Sequence, residues 1–410
     1  MDSILYRLNQ ESLWLEYLEY KTEKGHLTIK EKTELIEFIH LKKYESVVQR
    51  IQNGEGLTIP EKKIINKIGS NKKRVVYSFK EDENRVLKLL SYLLYKYDDK
   101  QSPGCFSFRK GYGAHKAIYK IINSHNISNM WCYKLDIKDY FNSISIPILL
   151  PILKNVIDDD EFLYHFLELM LSENKACYAD KIIEDTRGVM AGTPTSPFLA
   201  NIYLTELDTY FIDRRILYAR YSDDIIVFAW SEEKLIEYKT VIMTFLEKYK
   251  LSVNPKKEMV VAPSEPWEFL GVSFQENQID LSLATRDKLK GKIRRKARAL
   301  RRWQIKKKTS DEQAMKAMIK VFNRKFFELN DPSDLTWSRW FFPLVTVKDG
   351  LSEIDNYLQQ YIRYIPSGCH SKKNYKTKYN DLKKLGYKSL VNEYYKFKKQ
   401  REGKETTATE

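Results

Sequence analysis

The sequence has few cysteines and no long apolar run, and each shortage excludes a class of protein. The cysteines are far apart in the 410-residue chain: Cys105, Cys132, Cys177 and Cys369. Without a closely spaced pair, neither a zinc knuckle nor a disulfide framework is indicated, and we expect reduced thiols that serve in packing. No apolar segment approaches the roughly 20 residues that span a bilayer, and no basic segment followed by an apolar one opens the chain. We therefore expect a cytoplasmic protein without a membrane partner.

Positive charge is in excess. Seventy Lys and Arg stand against 55 Asp and Glu, which gives a formal net charge of +15 at pH 7. This excess favours a polyanionic partner, either nucleic acid or an anionic membrane surface. The apolar content of 43% is that of a globular protein, and the length suffices for two or three lobes of ordinary size.

Two carboxylate sites at strand ends organise the chain. In the segment 217–229, Asp223 and Asp224 lie between two apolar, β-branched runs, which predicts a strand, a tight turn and a second strand. An ordinary hairpin has the same residue types, so this segment alone leaves both interpretations open. Asp136 ends another strand-like run in the same way. Two such sites together predict a shared metal ion.

A glycine-rich segment precedes a predicted helix between the two acidic sites. Ser196 suits the N-cap and Pro197 the first turn of a helix that extends to about Leu207. Gly188 and Gly192 lie just before it. Such an entrance brings backbone N–H groups and the positive end of a helix close to a ligand. An ordinary capped helix explains the Ser-Pro pair but not the glycines, so we favour a binding role.

The most basic segment is residues 286–308, with 13 Lys and Arg and a single acid, Asp287. One helical face carries its apolar residues: Leu289, Ile293, Ala297, Leu300 and Trp303. A solvated helix normally mixes both signs, so the excess predicts a surface laid along phosphates. Its candidate phosphate contacts are Arg294, Arg295, Arg298 and Arg302. The alternative is that these arginines only keep the helix soluble.

These segments, in their order along the chain, resemble the motifs of bacterial reverse transcriptases. The resemblance covers roughly residues 68–275 and includes the Phe-Arg-Pro-Gly block, two catalytic motifs, the Tyr-x-Asp-Asp box, the lysine motif and the primer grip. The matching segments begin, in order, with Phe108-Arg109-Lys-Gly, Leu135-Asp136-Ile-Lys-Asp-Tyr-Phe141, Gly192-Thr-Pro-Thr-Ser-Pro, Tyr221-Ser-Asp-Asp, Asn254-Pro-Lys-Lys257 and Phe269-Leu270-Gly271. Each match is weak alone, and all of them in family order are specific.

The resemblance implies an α+β right-hand polymerase fold with fingers, palm and thumb. It also implies a helical N-terminal extension and a helical thumb that carries the basic segment. The implied lobes are a helical extension at 1–60, fingers at 61–135, a palm at 136–280 with finger elements at about 145–185, a basic thumb at 281–402 and a disordered tail at 403–410.

The resemblance further implies an RNA-directed DNA polymerase that uses two Mg²⁺ ions, with Mn²⁺ as an alternative, to join dNTPs into DNA on an RNA template. Asp136 and Asp223 would bridge the ions, with Asp224 as the weaker partner and the backbone carbonyl of Ile137 as a further ligand. The implied nucleotide-binding residues are Lys73, Arg74, Arg109, Phe141, Gly192 and Lys257. Among these, Phe141 would exclude the ribose 2′-hydroxyl and Lys257 would protonate the leaving pyrophosphate. The implied primer grip is Phe269, Leu270 and Gly271.

The sequence also departs from the family. Met190-Ala191 stands where relatives commonly have Pro-Gln, so the glutamine that would contact the incoming nucleotide is missing. The Val-Thr-Gly triplet of retron enzymes is absent, and Val345-Thr-Val is nearest to it. Segments starting at Trp337 and Gly386 resemble the stand-alone reverse transcriptases associated with phage defence, which implies a dedicated non-coding RNA as template. Two alternatives stay open: protein-primed or untemplated DNA synthesis, and a catalytically retired nucleic-acid-binding protein.

The basic segment gives a first testable prediction. Changing Arg294, Arg295, Arg298 and Arg302 together to Ala should weaken RNA binding. With fewer phosphate contacts, binding releases fewer counterions from the RNA. Each contact should flatten the dependence of log affinity on log salt by about 0.7 to 0.9. Binding of an RNA to wild type and variant across a salt series measures both quantities. An unchanged slope with unchanged affinity would place these arginines outside the nucleic-acid channel.

Overall fold

The structure is a computed structural model that describes residues 3–24, 27–66, 73–185, 187–328 and 336–407. The chain divides into a first unit, Met1–Glu265, and a second unit, Pro266–Glu410. The first unit mixes helices and strands, and the second is mainly helical. None of the helices within the described ranges is long and apolar enough to cross a bilayer.

The first unit contains two sheets and a series of helices. Its strands are β1 Glu61–Asn66, β2 Lys73–Ser78, β3 Trp131–Asp136, β4 Lys175–Tyr178, β5 Lys181–Glu184, β6 Tyr218–Tyr221, β7 Asp224–Ala229 and β8 Met259–Val261. Its α-helices are α1 Ile4–Arg7, α2 Glu11–Glu23, α3 Ile29–His40, α4 Glu45–Gln52, α5 Glu81–Leu93, α6 Ala114–Ile122, α7 Tyr140–Ser143, α8 Ile146–Val156, α9 Glu161–Ser172, α10 Ser196–Tyr203, α11 Thr205–Asp213 and α12 Glu232–Lys248. Short 3₁₀ helices are Leu94–Lys100 and Ile127–Asn129.

The second unit joins a small sheet to long helices. Its strands are β9 Trp267–Phe269, β10 Val272–Gln275 and β11 Gln278–Leu281. Its helices are α13 Leu283–Lys307, α14 Asp311–Phe326, α15 Trp337–Phe341, α16 Asp349–Ser367, α17 Tyr379–Lys384 and α18 Leu390–Thr407, with a 3₁₀ helix at Lys372–Lys376.

The N-terminal segment forms helices, as expected for the predicted helical extension. α3 starts with a capping box: the Thr28 hydroxyl accepts from the backbone N–H of Glu31, and the Glu31 carboxylate accepts from that of Thr28. Trp14 of α2 is fully buried and stacks on Tyr44 with 5.0 Å between ring centroids, while Phe38 of α3 lies edge-on at 5.4 Å. These rings tie α2, α3 and the start of α4 into the core of the first unit.

The sheet that carries the acidic residues has the strand order β6-β7-β3-β8, and its neighbouring strands are antiparallel. β6 and β7 are the two arms of the predicted strand-turn-strand segment, which is confirmed. α12 packs against β3 and β7, while α6 and α11 pack against β6. The pairing of β3 with β7 places Asp136 directly opposite Asp224.

The other sheet of the first unit has the order β2-β1-β4-β5. β1 and β2 are antiparallel, and β1 also meets β4 in parallel, with Glu61 opposite Cys177. Residues 175–184 thereby join residues 61–78 in one sheet. Lys73 and Arg74 lie exposed on β2, where their charges face solvent.

In the second unit, β9, β10 and β11 form an antiparallel sheet that is bonded to the helices of that unit. The Asp280 carboxylate accepts from the backbone N–H of Gly350 at 2.9 Å, close to the start of α16. The backbone N–H of Thr346 donates to the carbonyl of Ile279 at 2.8 Å. These bonds tie β11 to the start of α16 and to the segment before it, within the unit that begins at Pro266.

The basic helix α13 is longer than most helices and is largely confirmed. Leu289, Ile293, Ala297 and Leu300 are buried, and the predicted phosphate contacts are all exposed: Arg294, Arg295, Arg298 and Arg302. Two other cations are paired within the unit, because Arg286 and Lys290 share the carboxylate of Glu353 of α16. The free positive surface of α13 is therefore smaller than the 13 cations of residues 286–308 suggest.

Three details differ from the sequence prediction. Trp303 is 40% exposed, and Gln304 takes the buried position because its amide donates to Asp311 at 2.6 Å. α18 continues to Thr407, so the tail predicted as disordered from Gly403 is helical to that point, while residues 408–410 lie outside the described residues. Helix-forming Lys and Glu follow Gly403 and explain the continuation. Cys369 is exposed and therefore does not serve in packing.

Candidate active site

Three aspartates lie together at one end of the sheet in the first unit. Asp136 is the last residue of β3, Asp224 is the first of β7, and the two are register partners. Asp223 belongs to the turn before β7, where Ser222 adopts a positive φ of 60°. The backbone N–H of Ile137 donates to the carbonyl of Asp223 at 2.9 Å and ties the turn to the end of β3. The pleat and the turn thus bring together the two predicted acidic sites.

The three carboxylates are close enough for their negative charges to repel one another. Burial, followed by the charges of Asp136 and Asp224, raises the pKa of Asp223 from 3.8 to about 6. Asp136 is 5% exposed, and its carboxylate pairs with the ammonium of Lys257. The amide of Asn254 donates to the other Asp136 oxygen at 3.2 Å. The pairing with Asp136 raises the pKa of Lys257 against the opposing effect of burial.

These donors fit a hard divalent cation. Carboxylate oxygens are the ligands that Mg²⁺ prefers, and a cation would relieve the repulsion that raises the pKa of Asp223. Within the described part of the chain, no three His, Cys, Asp or Glu side chains are placed to enclose an ion by themselves. Because Mg²⁺ usually completes its shell with water and substrate oxygens, a few carboxylates suffice. The three aspartates would hold such an ion from one side.

The turn that carries Asp223 rests on a fully buried ion pair that the sequence analysis missed. Arg220 of β6 pairs with Asp208 of α11, with Nε to Oδ1 at 2.8 Å and Nη2 to Oδ2 at 2.6 Å. Its Nη1 also donates to the carbonyl of Ser222 at 3.3 Å. The only signal in the sequence is an arginine inside an apolar strand, which identifies a buried charge but not its partner.

A second set of buried hydrogen bonds holds the same turn from the other side. The Ser107 hydroxyl accepts from the backbone N–H of Ser222 at 2.9 Å and donates to the Asn201 amide oxygen at 3.1 Å. The Asn201 amide nitrogen in turn donates to the carbonyl of Ser107 at 2.7 Å and to the side chain of Gln101 at 3.0 Å. α10 and the loop before α6 are thereby fixed to the acidic turn.

Phe141 is positioned by the glycine-rich segment. It lies on α7, and its ring packs edge-on against Phe108 at 6.3 Å between centroids. Phe108 has a positive φ of 55° and also meets Tyr221 at 6.4 Å, so the three rings form a cluster that includes the last residue of β6, just before the acidic turn. The backbone N–H of Val189 donates to the Phe141 carbonyl at 2.9 Å. A Cβ at Gly188 would overlap that carbonyl, which is why glycine is required there.

The glycine-rich segment is also bonded to β2. The carbonyl of Ala191 accepts from the backbone N–H of Tyr77 at 2.8 Å, and Gly192 has a φ of 107° that favours glycine. Met190 and Ala191 are both buried, so the position of the missing glutamine offers no polar group to a ligand.

The predicted helix after this segment differs in two respects. Thr195, and not Ser196, is the N-cap residue, and the Ser196 hydroxyl donates back to the carbonyls of Val189 and Met190, the latter at 2.7 Å. Ser196 therefore fixes the glycine-rich segment and does not cap the helix. The helix also breaks at Leu204, which separates α10 from α11 and sets the direction in which Asp208 meets Arg220.

Arg109 does not take the predicted role. Its side chain is 3% exposed, and its guanidinium is saturated by protein oxygens. Nε pairs with Asp98 at 3.0 Å, Nη2 donates to the Asp98 carbonyl at 2.8 Å and Nη1 to the Ser102 carbonyl at 2.6 Å. The prediction that Arg109 meets the triphosphate is wrong, because no donor faces solvent. Arg109 instead fixes the loop that carries Ser107 and Phe108.

The predicted primer-grip residues form a tight turn in the second unit. Phe269 is fully buried, and Leu270 and Gly271 link β9 to β10 with positive φ values of 48° and 92°. The Thr285 hydroxyl at the start of α13 donates to the Gly271 carbonyl at 2.9 Å. The turn and the basic helix are therefore one rigid element of the second unit.

The raised pKa of Asp223 predicts how stability depends on pH. Between about pH 4 and pH 6 the folded protein holds a proton on Asp223 that the unfolded chain has released, so the free energy of unfolding falls as pH rises. Asp223→Asn lacks this charge, so its stability relative to wild type should rise through that window, by up to about 3 kcal/mol. Urea unfolding of both proteins with a chelator at pH 4 to 7 measures the difference. A difference that does not change with pH would contradict the crowding of the three aspartates.

Comparisons with known proteins agree with these motifs. A family model described as Reverse transcriptase (RNA-dependent DNA polymerase) matches residues 59–274. The chain is 23% identical over 235 residues to the Retron Ec86 reverse transcriptase of Escherichia coli, with 56% of this chain and 67% of that protein covered. It is 26% identical over 218 residues to an uncharacterised 91 kDa protein in the cob intron of Schizosaccharomyces pombe, with 51% of this chain and 26% of that protein covered.

The fold comparison is weaker. The structure of apo telomerase from Candida tropicalis aligns with 80% of this chain and 60% of its own, at a TM-score of 0.44 and 12% identity, which is too low to add to the assignment. The match to the family model is stronger evidence than the fold comparison. It covers more than half of the chain and contains Asp136, Asp223 and Asp224. The chain therefore belongs to the reverse transcriptase family.

Proposed function

We propose that the protein is an RNA-directed DNA polymerase that copies a dedicated non-coding RNA in antiphage defence. The observation that carries the polymerase activity is the crowding of Asp136, Asp223 and Asp224, with the pKa of Asp223 raised, inside the family match. Buried like charges are costly for a fold and are retained where a cation is to be bound. The role in defence and the dedicated template rest on the thumb segments that begin at Trp337 and Gly386.

The protein groups around the aspartates suit nucleotide addition. When bound, two divalent ions would neutralise the reacting phosphate and the attacking hydroxyl. Asp136 and Asp223 would hold them, with Asp224 and the carbonyl of Ile137 in support. Lys257, now paired with Asp136, would exchange this partner for the pyrophosphate and donate a proton to it. Exposed Lys73 and Arg74 would bind the triphosphate, together with backbone N–H groups near Gly192.

The remaining predicted contacts concern the nucleic acid. The ring of Phe141 would stand against the ribose 2′ position and so select dNTPs. Phe269, Leu270 and Gly271 would hold the primer end, and the exposed arginines of α13 would follow the backbone of the template and product. Untemplated or protein-primed synthesis is the second candidate. It is favoured by the buried Ala191, which offers no side-chain contact where relatives have glutamine.

A test of the metal-binding acids follows from the proposed function. Asp223→Asn with Asp224→Asn should lower DNA synthesis on a primed RNA by more than about 100-fold, since even outer-shell partners of a metal cost about 10- to 100-fold. RNA binding should stay within about twofold, because cations and not carboxylates contact phosphate. Asp180→Asn, at an exposed turn, is the matched control. Near-normal synthesis by the double variant would reject the polymerase site. Sequencing the products then separates templated from untemplated synthesis.

Another prediction concerns the choice between ribose and deoxyribose. Phe141→Ala should raise the use of rNTPs relative to dNTPs by about tenfold or more, since the clash with the 2′-hydroxyl is removed. Phe162→Ala, at a ring that is 61% exposed on α9, is the control of equal size. Single-nucleotide incorporation with each substrate measures the ratio. If the ratio is the same in Phe141→Ala and in the control, another residue excludes the ribonucleotide.

A further inference from the structure

A cavity of about 320 Å³ lies between α2, α5 and the glycine-rich segment, and we call it the α2–α5 cavity. α5 and the residues after it contribute one ridge, spaced by three or four positions: Asn84, Lys88, Ser91, Tyr92 and Tyr95. α2 contributes Tyr17, Tyr20 and Lys21. Gly192 and Pro194 complete the lining, so the cavity adjoins the segment that positions Phe141.

Of the residues that the structure describes, two lysines and no carboxylate line the α2–α5 cavity. The same lysines also border an adjoining cavity with Glu31, Glu34 and Glu81, of which Glu34 and Glu81 pair with Arg85. Burial and then the charge of Lys88 lower the pKa of Lys21. Glu31 acts on both lysines, but its carboxylate is bonded to the backbone and hydroxyl of Thr28 at 2.8 and 2.7 Å. Within the described ranges, neither lysine forms an ion pair with a carboxylate. Two cations placed in this way are stabilised by a phosphate or a similar anion.

The lysines favour an anion, whereas Asn84 favours a hydrogen-bond donor. Its side-chain oxygen Oδ1 is buried and has no hydrogen-bond partner among the described residues. A buried acceptor without a donor costs about 1 to 3 kcal/mol, so a ligand that donates a hydrogen bond there would be favoured. The ligand must therefore combine negative charge for the lysines with a donor for Asn84.

The tyrosines define the third property of the ligand. Tyr92 lies 4.8 Å from Tyr20 and 5.5 Å from Tyr17 between ring centroids, and Tyr95 meets it edge-on at 6.2 Å. Such a cluster offers an aromatic wall on which a base can stack, at about 1 to 3 kcal/mol per base. A ribonucleotide supplies all three features: a phosphate, a planar base and a 2′-hydroxyl that can donate.

We propose that the α2–α5 cavity binds a nucleotide of single-stranded RNA, with Lys21 and Lys88 at its phosphates and Asn84 accepting from its 2′-hydroxyl. The strand is the unpaired template beside the active site, and this identification of the strand rests on the proposed function. The N-terminal helices are then part of the template path and select RNA over DNA.

The test measures binding in the Asp223→Asn, Asp224→Asn background, in which no synthesis occurs. The probes are fluorescein-labelled 20-nucleotide oligo(U) and oligo(dT). Lys21→Met with Lys88→Met should weaken binding of oligo(U) and reduce the slope of log affinity against log salt by about 1.4, which is about 0.7 for each phosphate contact of a single strand. Lys42→Met with Lys43→Met removes equal charge from exposed positions and is the matched control. Equal slopes and affinities for these two double variants would overturn the proposal.

Asn84→Leu separates the hydroxyl contact from the charge. It keeps the branched shape of the side chain and removes the unpaired acceptor, so the fold should be no less stable. The affinity for oligo(U) should fall about fivefold, while that for oligo(dT) stays unchanged. Equal losses for both oligonucleotides, or none, would overturn the assignment to RNA. Thermal unfolding of each variant excludes misfolding as the cause of a loss, and Lys88→Met alone replaces the double variant if that one is unstable.

The result of the binding assay does not depend on whether the protein polymerises DNA. Primer extension by the wild-type protein tests the proposed function, and the binding assay does not require it. Loss of RNA affinity in the lysine variant without any extension by wild type would support the cavity and reject the polymerase. Normal extension with no effect of either cavity variant on binding would leave the polymerase in place and reject the cavity.

Discussion

The ion pair between Arg220 and Asp208 is the contact on which the acidic site depends. Both side chains are completely buried, and burial alone would disfavour the charge of Arg220, but Asp208 holds the pKa of the guanidinium above its ordinary value. The further donors are used as well, on the carbonyls of Asn201 and Ser222, and Tyr218 donates to Asp208 at 2.8 Å. Removing one partner of such a pair costs about 3 to 5 kcal/mol, because the other charge stays buried. The turn that presents Asp223 is therefore coupled to α10, α11 and β6 at once.

Because the turn is anchored in this way, the protein can keep three carboxylates close together at one end of the sheet. The repulsion among Asp136, Asp223 and Asp224 is a local destabilisation that the rigid sheet below them tolerates. In the α2–α5 cavity the crowded charges are positive. Lys21 and Lys88 lie near each other on α2 and α5, whose apolar residues pack in the core of the first unit. In both places the fold holds charges that a ligand of opposite sign would stabilise. Ligand binding and stability are thus linked at each site.

Sequence patterns were sufficient wherever periodicity decides the structure. The apolar, β-branched runs of β3, β6 and β7 located the aspartates at strand ends, and the spacing in α13 located its apolar stripe, apart from Trp303. They were insufficient where a polar side chain has a distant partner. Arg109 looked like a phosphate ligand because its pairing with Asp98 depends on how the loop between them folds. Ser196 looked like a cap for the same reason, since its hydroxyl bonds back to a segment whose path depends on Gly188.

The order of strands in the acidic sheet has a consequence for synthesis on the ribosome. β3 ends at Asp136, but its two neighbours, β7 and β8, start only at Asp224 and Met259. Ribosomes add about 5 to 20 residues per second, so β3 remains without partners for several seconds or longer while the intervening chain is made. Its apolar residues and unpaired backbone groups are exposed during this interval, which is the condition for aggregation. Segments made earlier, or a chaperone, must therefore cover β3 until Val261 has left the exit tunnel.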